Sequence, residues 1–180
     1  MAIIRKFNRS ASTDSGIYNT SDDVLRLIRD KNIQTAPLAV EKLAEALGLD
    51  IRYGSLNNEI PGALKREIRD NNNKWIIYVN SKHSKTRQRF TIAHEIAHYC
   101  LHRYEKTSFE DVVFFRGIAV SSEEYAANKF AGEILMPENI FREQIKSGMT
   151  KISDLADYFG VSALALRVRA KHLGLEGHGL

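Results

Sequence analysis

From Ser84 to His102 the chain runs without a glycine or a proline, and Phe90, Ala93, Ala97 and Leu101 recur at helical spacing. Inside that helix lies His94-Glu95-Ile96-Ala97-His98. Two histidines at i and i+4 share one helix face, so both imidazoles reach one metal ion. Glu95 sits about a third of a turn away, placed to touch a metal-bound water rather than the metal. This constrains the fold more than any other feature. A catalytic Zn²⁺ takes three protein ligands and keeps one position for water, so a second element must bring a third ligand to this helix.

Two residues compete for that position. His102 lies four residues beyond His98, but three successive i+4 positions on a straight helix form a row of roughly 12 Å, too long for one ion with ~2 Å bonds. Glu124 is the better candidate. It heads SSEEYAANKFAGEILMP, and Asn128, one turn on, is placed to orient a ligand histidine. Ala126, Ala127 and Ala131 would let this helix approach closely. A rival reading makes Ser121-x-x-Glu124 a capping box, with the carboxylate satisfying only a backbone N–H. The neighbouring Glu123 is a further candidate for the ligand.

The other elements read as α+β. Helices are expected at 22–30 with Ser21 as N-cap, from Pro37 to Gly48, at 122–136, 138–146, 152–159 and 162–173. Strands are expected at 49–53, around Gly62-Ala63-Leu64 and at 75–79, with Asp70 to Asn73 as a hairpin turn. Val112 to Phe115 reads as a strand or a buried loop. The expected division is a flexible leader over 1–20, a core over 21–137 and a C-terminal helical segment over 138–180.

Composition narrows the class. A length of 180 residues supports a packed core without staples, and 43% apolar with 27% charged residues excludes fibrous and wholly disordered chains. No apolar run approaches the ~18 residues of a membrane span, and the N-terminus lacks a secretory apolar core. Cys100 stands alone, which fits a reducing cytoplasm and a small buried hydrophobe. The net charge of +4 does not by itself imply nucleic acid. Lys82, His83, Lys85, Arg87 and Arg89 cluster near a helix N-terminus, which the helix dipole disfavours, so a solvated face competes with contact to an acidic partner. The rhythm of residues 151–173 is that of a helix-turn-helix, and Arg167, Arg169 and Lys171 would be its phosphate contacts, though the same apolar positions serve equally to cover a protease core.

RFTIAHEIAHYCLH followed by EYAANKFAGEILMP resembles the ImmA/IrrE family of zinc metallopeptidases. PGALKREI, KWIIYVN and RQRF resemble that family's sheet and lead-in, and LADYFGVSALALRVRAKHLGL its C-terminal segment, so the likeness runs from about Thr35 to Leu175. The resemblance implies a zincin-like α+β fold: a small sheet, a central H-E-x-x-H helix and a helix-turn-helix-like end. It implies one Zn²⁺ per chain on His94, His98 and Glu124, with Glu95 as the catalytic acid and base. The implied substrate is a cytoplasmic helix-turn-helix repressor of the Xre/Cro type, or an antitoxin, so that the activity would regulate transcription. Ala126 departs from the family's usual E-x-E-A-N. A transition-state stabiliser is also needed, and Tyr99, His102, Tyr125 and Arg89 are the candidates near in sequence. The rival from another class is a non-proteolytic DNA- or protein-binding regulator with a structural metal site, which would have no use for Glu95.

Overall fold

The computed structural model describes residues 18–69, 72–105, 108–110 and 121–175. Helix α1 (Ser21–Asp30) and helix α2 (Val40–Ala46) precede strands β1 (Asp50–Gly54), β2 (Gly62–Arg69) and β3 (Asn72–Asn80). Helix α3 (Lys85–His102), strand β4 (Ser108–Glu110) and helices α4 (Ser122–Leu135), α5 (Glu138–Lys146), α6 (Ile152–Phe159) and α7 (Ala163–His172) complete the order. The α+β reading holds, and several element ends differ from expectation for local reasons. Thr20 rather than Ser21 caps α1, because its hydroxyl accepts from the Asp23 N–H at 3.2 Å while the Asp23 carboxylate accepts from the Thr20 N–H at 2.9 Å. Pro37 does not open α2; it sits in a turn closed by a bridge between Thr35 and Leu38. Asn72 and Asn73, read as turn residues, pair with Arg69 and Ile68 and extend β3. The Val112–Phe115 expectation and most of the leader lie outside the described residues.

The sheet runs β1-β3-β2-β4, with β1 parallel to β3 and the other pairs antiparallel. Because β2 follows β1 in sequence but lies beyond β3, the 55–61 connection must cross the end of β3. Asn80, fully buried, holds it there: its amide donates to the Asn57 carbonyl at 2.9 Å and the Ile60 carbonyl at 3.0 Å. The Asn80 side-chain oxygen accepts from the Lys82 N–H at 3.1 Å. Pro61 and Gly62 are thereby delivered to the start of β2, beside α3.

Helix α3 is capped by Ser84, whose hydroxyl accepts from the Arg87 N–H, and it buries residues on every side over 91–98. It contacts α2, α4, β2 and β3. Ala93 and Ala97 on α3 and Ala127 and Ala131 on α4 are all fully buried, so both helices present small side chains where close approach requires them; Ala126 is only half-buried. One apolar cluster joins Val24, Leu43, Ile77, Ile96 and Ile134 to Phe141, Phe159 and Leu166 of the last three helices. Phe141 and Phe159 stack with centroids 5.5 Å apart.

Candidate metal centre

Helical periodicity puts His94 and His98 on one face of α3, and both are buried. The first turn of α4 brings Glu124 against them. The two Nε2 atoms lie 3.0 Å apart. Glu124 Oε2 is 3.3 Å from His94 Nε2, and Glu124 Oε1 is 3.2 Å from His98 Nε2. These three are the group among the described residues whose donor atoms converge closely enough to hold a metal ion; neither Glu123 nor His102 joins it. The Ser121 hydroxyl caps α4 by accepting from the Glu124 N–H at 3.1 Å, while the Glu124 carboxylate turns to the histidines. Cap and carboxylate thus serve different atoms, which resolves the two readings of Ser121-x-x-Glu124.

The donor set fits a metal. A tetrahedron with bonds of ~2.0–2.1 Å has edges of roughly 3.3–3.4 Å, close to the three separations found here. If both imidazoles donate from Nε2 to the Glu124 carboxylate, their two N–H groups crowd each other across 3.0 Å, whereas a metal ion between them would take all the facing lone pairs at once. Hydrogen bonds from His94 and then His98 hold the Glu124 carboxyl well below the usual carboxylate range, so it is an anion at neutral pH. Softer ligands are absent from this group, and two nitrogens with one carboxylate oxygen suit zinc and related divalent ions.

Glu95 is fully buried. Its position is set by Gly62: a methyl group there would lie 2.4 Å from Thr91 Cγ2, 2.6 Å from the Tyr78 carbonyl oxygen and 3.4 Å from Glu95 Oε1. Strand β2 therefore approaches α3 as closely as a residue without Cβ allows, with the Glu95 carboxyl at the contact. Sequence reading missed Gly62 and Asn80, since nothing local distinguishes a strand-opening glycine or a strand-ending asparagine.

Beside the histidines opens a cavity of about 670 Å³, lined by His94 and Thr91 of α3, Glu124 and Asn128 of α4, and residues of α7. Asn128 faces this cavity, and no hydrogen bond joins its amide to either histidine, so the orienting role expected for it is not seen. Of the four candidate transition-state stabilisers, Tyr125 lines the cavity. Arg89 instead spans α3 and the α6–α7 turn, donating to the Leu38 carbonyl at 2.8 Å and the Gly160 carbonyl at 3.0 Å. Tyr99 packs edge-on against Trp75 and under the Arg103 guanidinium. His102 lies one turn past His98, its ring centroid 5.5 Å from the His98 ring, with Nδ1 3.8 Å from Glu105. His172, which the sequence did not single out, lines the cavity and meets the Tyr125 ring at 6.4 Å. Arg169 cannot serve as a phosphate contact: it is buried and donates to the Met136 carbonyl at 3.1 Å. Cys100 is buried, and burial pushes its thiol up to about 12, so it is not a nucleophile.

A four-stranded sheet, a buried H-E-x-x-H helix and a carboxylate delivered by the next helix define an α+β protein with a three-donor centre of the metallopeptidase kind. The chain belongs to the Peptidase_M78 family: residues 44–171 match the model of the IrrE N-terminal-like domain. It is thus a member of a metallopeptidase family, and the match spans both the histidine helix and the Glu124 helix. No curated protein matches the chain. Among the described residues no helix is long and apolar enough to cross a membrane.

Proposed function

We propose that this chain is a zinc-dependent endopeptidase that cuts a specific cytoplasmic protein, a helix-turn-helix repressor or an antitoxin, and so regulates transcription. The observation that carries the reading is the convergence of His94 and His98, on the helix that also buries Glu95, with Glu124 of α4, their donor atoms 3.0–3.3 Å apart. His94 and His98 would hold the ion through Nε2 and Glu124 through its carboxylate. When bound, zinc supplies Lewis acidity that activates water and polarises the scissile carbonyl.

Glu95 takes the proton of the attacking water and returns it to the leaving amine, the two halves of general acid–base catalysis. Gly62 brings β2 against the Glu95 carboxyl and limits its drift. Tyr125 and His172, at the cavity wall, are the side chains that this structure offers to a developing oxyanion. The rival, a regulator with a purely structural metal, leaves a buried Glu95 without a task.

The test compares cells expressing the wild type with cells expressing Glu95→Gln, labelling new protein N-termini. A small set of N-termini present only with the wild type, mapping to a DNA-binding regulator or antitoxin, supports the proposal. Identical N-termini in the two, with wild-type protein that binds zinc stoichiometrically, would sink the endopeptidase reading.

A further inference from the structure

The cavity at the candidate metal centre extends well past it. Along α3 its lining runs from His94 back through Phe90 to Arg87, two helical turns, or about 10 Å. Its far wall is α7, where Leu164 and Val168 face it, and Tyr125 of α4 joins them. These three are 65%, 47% and 57% exposed, and they are half of the exposed large hydrophobics among the described residues. Isolated apolar residues on a surface need no explanation, but three converging on one groove beside a reactive centre do.

The charge of the groove is one-sided. Arg87 and Lys129 line it, and the carboxylate that lines it is Glu124, already turned to the histidines. Among the described residues no carboxylate pairs with Arg87. Lys129 is held only loosely, 4.0 Å from Glu133, whose carboxylate also accepts from the Ser21 hydroxyl. The Lys82–Arg89 cluster seen in the sequence separates accordingly. Arg89 donates to backbone carbonyls, Lys82 to Leu56, Lys85 to Gln88 at 3.5 Å, and His83 meets Asn58, which leaves Arg87 as the member of that cluster that lines the groove.

We infer that this groove selects an extended peptide segment carrying a large apolar side chain against Leu164, Val168 and Tyr125, and a carboxylate about three residues from the scissile bond against Arg87. An extended chain advances about 3.3 Å per residue, so three residues cover the 10 Å between His94 and Arg87. Charge complementarity fixes the sign of the partner, and the apolar wall its hydrophobic anchor. The inference rests on the peptidase reading, since it names that enzyme's substrate class. Arg87 is a specificity residue in it, not a catalytic one.

The test measures binding apart from cleavage. A fluorescein-labelled nonapeptide has a central Leu, Glu three residues to either side, and Ala and Ser elsewhere; its twin carries Lys for Glu. Both are titrated by fluorescence anisotropy against zinc-loaded Glu95→Gln protein and, as a second protein, chelator-treated wild type. The Glu peptide is expected to bind about fivefold tighter than the Lys peptide, as for an exposed ion pair. Arg87→Glu reverses that order, and Val168→Asp weakens both peptides. Equal affinities, or an unchanged order in a folded Arg87→Glu protein, overturn the inference. Binding seen only after deletion of residues 1–17 gives the groove to this chain's own N-terminal segment, and a dimer that masks Tyr125 gives it to a second copy; either overturns it too. New N-termini in the wild-type cells without acid-dependent peptide binding sink this inference alone, whereas loss of both sinks the peptidase reading with it.

Discussion

Replacing Gly62 by alanine perturbs the contact that positions Glu95 without touching a metal ligand. The added Cβ would lie 2.4 Å from Thr91 Cγ2 and 2.6 Å from the Tyr78 carbonyl oxygen, where van der Waals contact needs ~3.5–4.0 Å. Thr91 is 3% exposed, so its methyl group has little room to give way. The Tyr78 carbonyl belongs to β3, whose register with β2 pairs Tyr78 with Ala63, so it moves only with the ladder. The strain must be relieved by displacing β2 from α3 by roughly 1 Å. Overpacking of this kind destabilises by about 1–3 kcal/mol. For a chain of 180 residues that lowers the melting temperature by about 2–12 °C, leaving the protein folded at 25 °C. Turnover should fall much further, because ~1 Å of misplacement in a catalytic group costs about a hundredfold. The assay pairs a circular-dichroism melt with zinc content and peptide turnover at 25 °C. Zinc content should remain that of the wild type, since His94, His98 and Glu124 do not meet the new methyl group. Thr91→Ser in the Gly62→Ala background removes one of the two clashes and should restore part of the loss. An unchanged melt together with unchanged turnover would refute the close-approach argument, and loss of zinc would show that Gly62 supports the ligands rather than Glu95.

Three further outcomes are expected. Asn80→Ala removes the amide that donates to the part-buried Asn57 and Ile60 carbonyls, the first of which keeps the Ile60 N–H, and should destabilise by about 1–3 kcal/mol, read as a shift in denaturant midpoint. Cys100, with its thiol pushed up to about 12, is about one part in ten thousand thiolate at pH 8 and should resist iodoacetamide until the protein unfolds. Because the folded-state value of Glu124 is depressed, its contribution to the stability of metal-free protein is present above the ordinary value of 4.5 and is lost as pH falls through the folded value. An acid titration of chelator-treated protein should show that loss, and Glu124→Gln should flatten it; identical acid profiles for the two would contradict the ion-pair account.

How far the site was legible follows the distance in sequence between its parts. His94, Glu95 and His98 lie within five residues on one helix, so the 3.6-residue period alone places them. Glu124 is not fixed by local pattern, because a carboxylate at the third position of a helix serves a cap as readily as a metal, and only the packing of α4 on α3 aims it at His94 and His98. Tyr99, His102, Tyr125 and Arg89 lie near the histidines in sequence, yet Arg89 donates to backbone carbonyls and Tyr99 packs on Trp75, because side chains near in sequence on a helix point to different faces. Gly62, Asn80 and His172 were silent, since their roles depend on a strand, a loop and a helix far away in the chain.

Local periodicity and side-chain chemistry were enough for the α+β class, the central helix, its two histidines and the carboxyl beside them. The packing of distant elements set the rest: the 55–61 connection crosses β3, β2 presses on Glu95 through a residue without Cβ, and α7 walls the groove leading from Arg87 to the candidate metal site. The reason is physical: helix and strand patterns are set by neighbours within a few residues, whereas the meeting of distant elements is set by which apolar faces bury together.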